Sequence, residues 1–215
     1  MEYEMRITLD GSQCEDLNPT TVAEAIEGGC ARAHQLGRIV VQIEVDDRTL
    51  DAAELGDPII TAGTAEAVAL TSMEPTEVLK ATLDLGRNAV EAANEQFAEA
   101  ARHLQAGETA QATAPLQEGL ELWQTLDEHV LREAVPAVLA SGPNAPTEEA
   151  FGRLVAELEI ALKTIKQAVA SGDLTALSDC LLYEFPETTK SWIEFLTRCS
   201  NALGTKEQET TEGDS

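Results

Sequence analysis

The sequence predicts an α+β fold in which a small sheet domain precedes a helical bundle. In residues 1–75 the apolar residues recur at every second position, whereas after Pro75 they recur at helical spacing. The chain is 43% hydrophobic, which is enough for packed cores, and its net charge of −25 is uneven, with −11 in residues 1–75. We therefore place domains at 1–75 and 76–203, followed by an acidic tail at 204–215.

A hairpin opens the N-terminal domain. Residues 5–9 alternate apolar and polar side chains, and Asp10-Gly11 follows them. Asp-Gly after such a run favours a type I′ turn, because both central residues of that turn need positive φ. A second strand is therefore predicted over residues 12–17, and Pro19 ends it.

A helix and three further strands follow. Thr21 and Glu24 form a capping box, and the helix ends at Gly37. Strands are predicted at 39–45, at 48–50 after an Asp46-Asp47 turn, and at 66–71. The apolar faces are Val22, Ile26, Cys30 and Ala33 in the helix, and Ile39, Val41, Ile43 and Val45 in the longest strand.

This order of elements, with the segments 5–11, 20–26 and 38–47, resembles β-grasp domains of the ubiquitin-like and bacterial sulfur-carrier type. The resemblance covers the first third of the chain. Sulfur carriers act through a free C-terminal Gly-Gly, whereas this domain runs through residues 72–76 into a helix. The only Gly-Gly pair, Gly28-Gly29, lies inside the first helix. The resemblance therefore implies the fold without the carrier chemistry.

After Pro75 apolar residues recur at spacings of four and three, which is typical of helices packed at shallow angles. Short Gly-containing links predict an antiparallel up-and-down four-helix bundle, with the last helix kinked at Pro186. A homodimer through the same seam is the alternative closure. The seam positions are Leu79, Leu83, Gly86, Val90, Ala93, Phe97, Ala100 and Leu104, then Leu116, Leu120, Trp123, Leu126, Val130 and Ala134, then Phe151, Val155, Leu158, Leu162, Ile165 and Val169, and finally Leu174, Leu177, Leu181, Trp192, Leu196, Cys199 and Leu203.

The tail after residue 203 has four acidic residues, one basic residue and no apolar one. Such a segment cannot bury enough apolar surface to offset the entropy of ordering it. We therefore expect the tail to be disordered.

Candidate catalytic and metal sites are few. The sequence has no phosphate-binding loop, dinucleotide fingerprint, zinc-protease motif or nucleophile elbow. Cys14, Cys30 and His34 offer a three-ligand zinc site as the alternative, although Cys30 lies on the apolar helix face and no Cys-x-x-Cys pair is present. We predict a protein that is not an enzyme and needs no cofactor.

Two sets of residues are candidates for contact with a protein partner. The first is the acidic run with Asp46, Asp47 and Asp51, for which a solvated turn is the other interpretation. The second is the aromatic group around Pro186, which can instead close the bundle core. Its members are Tyr183, Phe185, Trp192 and Phe195.

The charge bears on function as well. A net charge of −25 opposes binding to nucleic acid and to anionic membranes, and no stretch is apolar enough to span a bilayer. The first six residues lack the basic start and the apolar segment of a secretory signal. The four cysteines do not occur in closely spaced pairs, so we expect free thiols in a reducing cytoplasm.

The predicted function is an acidic, non-enzymatic adaptor or chaperone-like protein that contacts protein partners of basic character. In layout the helical part is similar to small acidic secretion or flagellar chaperones of bacteria. A metalloprotein using the three residues above is one alternative, and an acidic mimic of nucleic acid is another.

Overall fold

The structure, a computed structural model, describes residues 5–204, apart from the side chains of Ala52 and Pro58. It is α+β, as predicted, with a five-stranded mixed sheet in the N-terminal part and helices after it. Tertiary contacts divide the chain between Val78 and Leu79. Of the predicted tail, only Gly204 is described, where it ends the last helix, and 205–215 lie outside the described residues.

The sheet has the strand order β2-β1-β5-β3-β4. Its central pair, β1 and β5, is parallel, and the other neighbours are antiparallel. Each edge strand is only two residues long, which limits pairing with other chains. The strands are β1 (Arg6–Leu9), β2 (Ser12–Gln13), β3 (Ile39–Val45), β4 (Arg48–Thr49) and β5 (Ala67–Met73).

Both hairpin turns use residues with positive φ. The angle is 51° at Asp10 and 78° at Gly11, as the predicted type I′ turn requires, and it is 49° at Asp46 and 63° at Asp47. Strand β2 is shorter than predicted. The Leu17 N–H bonds the carbonyl of Cys14 at 3.3 Å, so the chain turns before it extends the ladder.

Helix α1 (Val22–Gln35) packs on one face of the sheet. It begins where predicted, since the Thr21 side chain accepts a hydrogen bond from the Glu24 N–H at 3.2 Å. Its buried face differs from the predicted one and consists of Val22, Ala25, Gly29 and Ala33, with Ile26 and Cys30 half-buried. A Cβ at Gly29 would lie 2.6 Å from a Leu70 methyl, so glycine permits the close approach.

Strand β3 has a bulge between Val40 and Gln42, where it pairs with β5. The extra residue reverses the alternation of side chains. Val40 consequently packs against the core, whereas Ile39 and Val41 are each 45% exposed. The predicted apolar face of this strand is therefore interrupted: Ile43 and Val45 pack against the core as predicted, whereas Ile39 and Val41 do not.

Two short helices that the sequence analysis did not predict precede β5. They are α2 (Ala52–Leu55) and α3 (Pro58–Thr61). Asp51 caps α2 through a capping box with Glu54, and the Asp57 carboxylate accepts from the Ile59 N–H at 2.8 Å. Acidic side chains thus organise this connection locally.

The second part of the chain is helical, and four long helical stretches lie where the sequence predicts them. None of the described helices has the length and apolar character needed to cross a membrane. In order they are α4 (Pro75–Gln105); α5 (Thr109–Leu126), a π-helical segment π1 (Asp127–Ala134) and α6 (Val135–Leu139); α7 (Glu148–Ser171); and α8 (Leu174–Asp179), a second π-helical segment π2 (Cys180–Glu184) and α9 (Phe185–Gly204).

Each π segment ends two residues before a proline. After π1 the Val135 N–H bonds the carbonyl five residues back, and after π2 the Phe185 N–H does the same. The wider turn relieves the clash between a proline ring and the carbonyl four residues earlier, here at Pro136 and Pro186. The predicted break or kink at Pro186 is therefore a local widening of a helix that continues.

Six aromatic rings form the centre of the helical core, with neighbouring centroids between 4.5 and 6.1 Å apart. A glycine on α5 makes room for one of them, because a Cβ at Gly119 would lie 2.5 Å from Phe97 Cε1. The rings are Phe97, Trp123, Phe151, Phe185, Trp192 and Phe195.

Candidate functional site

A groove of about 410 Å³ opens on the helical unit between two predicted seam faces. One wall comes from α5 and π1, and the other from α7. We call it the α5–α7 groove. Its apolar lining consists of Leu120, Trp123, Leu131, Val155, Leu158 and Leu162.

The groove exists because the seams of α5 and α7 are only partly covered. Leu120, Val155 and Leu162 occupy predicted seam positions, yet each is half-buried in the structure. Further along α7, Val169 is 54% exposed, so the predicted burial of this residue is wrong. The buried face of α7 runs instead through Leu158, Ala161, Ile165 and Ala168. An apolar strip thus remains available on α7.

The polar side chains at the rim of the groove are two carboxylates, one guanidinium and one carboxamide. The Asp127 carboxylate accepts a hydrogen bond from Arg132 Nε at 2.9 Å and forms an ion pair with the same guanidinium, whose Nη2 lies 2.7 Å away, and this pairing raises the pKa of Arg132. Glu159 and Gln124 complete the rim. The three elements that form the walls carry nine acidic and four basic residues, a net charge of −5. The one rim cation is therefore held by a carboxylate, and the groove lies in a negative field.

Trp123 joins the groove to the aromatic core. It is only 4% exposed, and its ring makes edge contacts with Phe185 and Trp192 at centroid distances of 6.0 and 6.1 Å. Its indole Nε1 is buried and has no hydrogen-bond partner among the described residues. A buried donor of this kind costs free energy until an acceptor meets it.

The predicted aromatic contact set divides in two. Phe185 and Trp192 are fully buried and Phe195 is 3% exposed, so these three build the core and offer no surface in this structure. Tyr183 is 69% exposed on π2 and is the one member that a partner can reach directly. The interpretation in which aromatics close the bundle core fits the first three.

The three residues of the predicted acidic contact set are exposed, but two of them cap neighbouring backbone N–H groups. The Asp46 carboxylate accepts hydrogen bonds from the N–H groups of Glu66 and Ala67, both at 2.9 Å, and so caps the start of β5. Asp51 caps α2. Asp47 makes no such bond and faces solvent at the tip of the turn.

The alternative zinc site has no support from the geometry. Within residues 5–204, no group of three or more His, Cys, Asp or Glu side chains is placed to hold a metal ion. Cys14 and Cys30 are half-buried and His34 is exposed. Burial raises the pKa of the Cys30 thiol, which keeps it protonated at neutral pH.

Sequence reasoning missed the groove, because its lining residues have the same spacing as seam residues that are fully buried. The rim gives a faint signal, since Asp127 continues the Leu120 and Trp123 face at a seam-like position where a core residue would be apolar. A polar residue on an apolar stripe indicates that the stripe reaches solvent there.

Comparisons of the chain with protein-family models, with curated proteins and with solved structures find no match.

Proposed function

We propose that the protein is a non-enzymatic, acidic adaptor or chaperone-like protein that binds a partner through the α5–α7 groove. The observation that carries the proposal is an apolar groove of about 410 Å³ on a protein of net charge −25. Such grooves receive the apolar face of an amphipathic helix, with anchor residues at helical spacing.

The charge of the groove selects the kind of partner. The apolar lining favours side chains such as Leu or Phe, while the walls, at net −5, favour a segment that is otherwise basic. The proposed occupant is therefore an amphipathic helix with apolar anchors on one face and Lys or Arg on the other.

For the architecture we propose a β-grasp domain and an antiparallel four-helix bundle. The β-grasp assignment is supported by two hairpins around one helix, by the strand order β2-β1-β5-β3-β4 and by the parallel pairing of β1 with β5. Four long helical stretches joined by short links support the second. Both folds can serve as scaffolds for binding a protein, and the fold by itself does not specify the partner.

A matched pair of substitutions on α7 tests the function. Leu162 lines the groove and is half-buried, whereas Ile160 is 65% exposed and does not line it. A charge at Leu162→Glu should weaken partner binding about tenfold or more, because an unpaired carboxylate then occupies an apolar contact. Ile160→Glu adds the same charge and should leave binding unchanged.

The measurement is affinity capture from a lysate of the source organism at two ionic strengths, followed by titration of the recovered partner. Equal retention by wild-type protein and Leu162→Glu would contradict the groove as the site, and recovery of the protein alone at low salt would contradict the function. A partner that is itself a DNA-binding protein and is lost steeply with salt would favour the nucleic-acid mimic.

A further inference from the structure

The two rims of the α5–α7 groove differ in charge. On the side of α5 and π1, the Asp127 carboxylate is paired with the guanidinium of Arg132, whose Nε donates to it at 2.9 Å. On the α7 side, the Glu159 carboxylate is exposed and has no hydrogen bond or ion pair with another described residue. One rim therefore carries a neutral pair of charges, and the other carries a free negative charge.

The π-helical segment π1 creates this difference. Asp127 and Arg132 are five residues apart, which would place them about 140° apart around an α-helix and so on different faces. In a π-helix the N–H of a residue bonds the carbonyl five residues earlier, so two residues with this separation lie one turn apart on the same face. Arg132 reaches Asp127 at the rim because π1 has this wider turn.

The other charges of the two walls do not line the groove. On α7, Lys163 and Lys166 follow Glu159 by four and seven residues, beyond the lining. They repel a cation of a bound helix toward the end of α7, whereas Glu159 attracts it. On the opposite wall, Glu121 and Glu128 lie outside the lining, and each accepts a hydrogen bond from a neighbouring glutamine. Within the described residues, Glu159 is therefore the lining charge that lacks a partner.

We propose that the helix bound in the α5–α7 groove carries its cations on the edge that faces α7, where one of them pairs with Glu159, and that this pairing fixes the direction of the helix. The inference rests on the proposed function and makes Glu159 a specificity-determining residue of the groove. Reversing a docked helix end to end exchanges the edges that face the two walls. A helix with cations along one edge can therefore bring them to Glu159 in only one of its two directions.

The test uses two synthetic helical peptides of about 18 residues, which are about 27 Å long. Both have leucines on one face, with lysines along one edge of that face and glutamines along the other. The two peptides differ only in which edge carries the lysines, and each has a nitroxide at its N-terminus. We expect the nitroxide to broaden amide NMR signals of α7 near Phe151 with one peptide and near Val169 with the other.

Two substitutions on α7 form a matched pair for this test. Glu159→Gln should remove the difference in direction and weaken the binding of each peptide about twofold to fivefold, as expected for one exposed ion pair. Glu157→Gln removes the same charge two residues away, where the side chain is exposed and does not line the groove. It should leave both the direction and the affinity unchanged. Both substitutions are at exposed positions, so both variants should fold.

The outcomes separate the inference from the proposed function. If the two peptides lie in the same direction, or if Glu159→Gln keeps their opposite directions, the pairing is refuted while the groove stands. If Glu157→Gln removes the difference as well, the total charge of α7 sets the direction and the role of Glu159 is refuted. If neither peptide binds, the proposed function itself is contradicted.

Discussion

The Asp10 carboxylate accepts two hydrogen bonds from Ser72, one from the backbone N–H at 2.7 Å and one from the hydroxyl at 2.6 Å. Sixty-two residues separate the two along the chain. Arg38 completes the cluster by donating to the Ser72 hydroxyl at 2.8 Å and to Glu74 at 3.0 Å. These hydrogen bonds connect the first hairpin turn to the end of β5, shortly before α4 begins.

This cluster predicts a pH-dependent contribution to stability. The hydrogen bonds from Ser72, aided by the charge of Arg38, lower the pKa of Asp10 below 3.8. Because the folded-state pKa is the lower one, the contribution is present above the unfolded pKa and is lost as pH falls through the folded pKa. Asp10→Asn should therefore destabilise the sheet by about 1–2 kcal/mol at pH 7.

The difference between wild-type protein and Asp10→Asn should shrink below pH 4 and vanish once Asp10 is protonated. The measurement is urea unfolding followed by the NMR signals of β5 at pH 7 and at an acidic pH where Asp10 is protonated in the folded protein. Glu15→Gln is the control. Glu15 is exposed, and the substitution removes one negative charge just as Asp10→Asn does. A loss that is equal at both pH values would show that the ionised carboxylate is not responsible.

The two central residues of the second hairpin turn should respond oppositely to the same change. Asp47 has φ 63°, and among the described residues its carboxylate accepts no hydrogen bond from a backbone N–H. Asp47→Gly therefore removes backbone strain and should stabilise the protein by up to about 1 kcal/mol. Asp46 has φ 49° but caps two N–H groups of β5. Asp46→Gly should cost about 1–2 kcal/mol, because both N–H groups lose the carboxylate that accepts their hydrogen bonds. Thermal unfolding of both variants checks the prediction, and a gain in both would show that the cap is unimportant.

Glycines inside two helices provide a second matched pair. A Cβ at Gly119 would meet the Phe97 ring at 2.5 Å, so Gly119→Ala should destabilise the helical unit by about 1–3 kcal/mol. At Gly152 nothing lies within 4 Å, and Gly152→Ala should stabilise α7 by up to about 1 kcal/mol through helix propensity. Denaturant unfolding followed by tryptophan fluorescence measures both. Stabilisation by Gly119→Ala would contradict the close contact of α5 with Phe97.

The four cysteines should fall into two classes of reactivity. Burial raises the pKa of Cys180 to about 12 and that of Cys199 to about 11, whereas Cys14 and Cys30 are half-buried. Since the thiolate is the reactive form and a reagent must reach it, Cys14 and Cys30 should label with iodoacetamide at pH 8 in the folded protein, and Cys180 and Cys199 only after unfolding. Mass spectrometry of digests with and without urea gives the rates, and fast native labelling of Cys199 would show that the helical core opens readily.

Short-range signals predicted much of the fold. Asp10-Gly11 predicted the first hairpin, and Thr21 predicted the start of α1. The bulge at Val41 was not predicted, because it depends on how β3 pairs with β5. Pro186 predicted a break or kink, whereas the helix accommodates the proline ring with a wider π-helical turn and continues.

Composition and periodicity by themselves determined the α+β class, the change of period near Pro75 and the acidic surface, since these follow from residues close in sequence. Only the tertiary structure decided which apolar positions are covered. Trp192 and Leu162 share the same seam spacing, yet one is fully buried and the other lines an open groove. The reason is physical: periodicity sets the direction of a side chain from its own helix, and burial depends on what lies opposite.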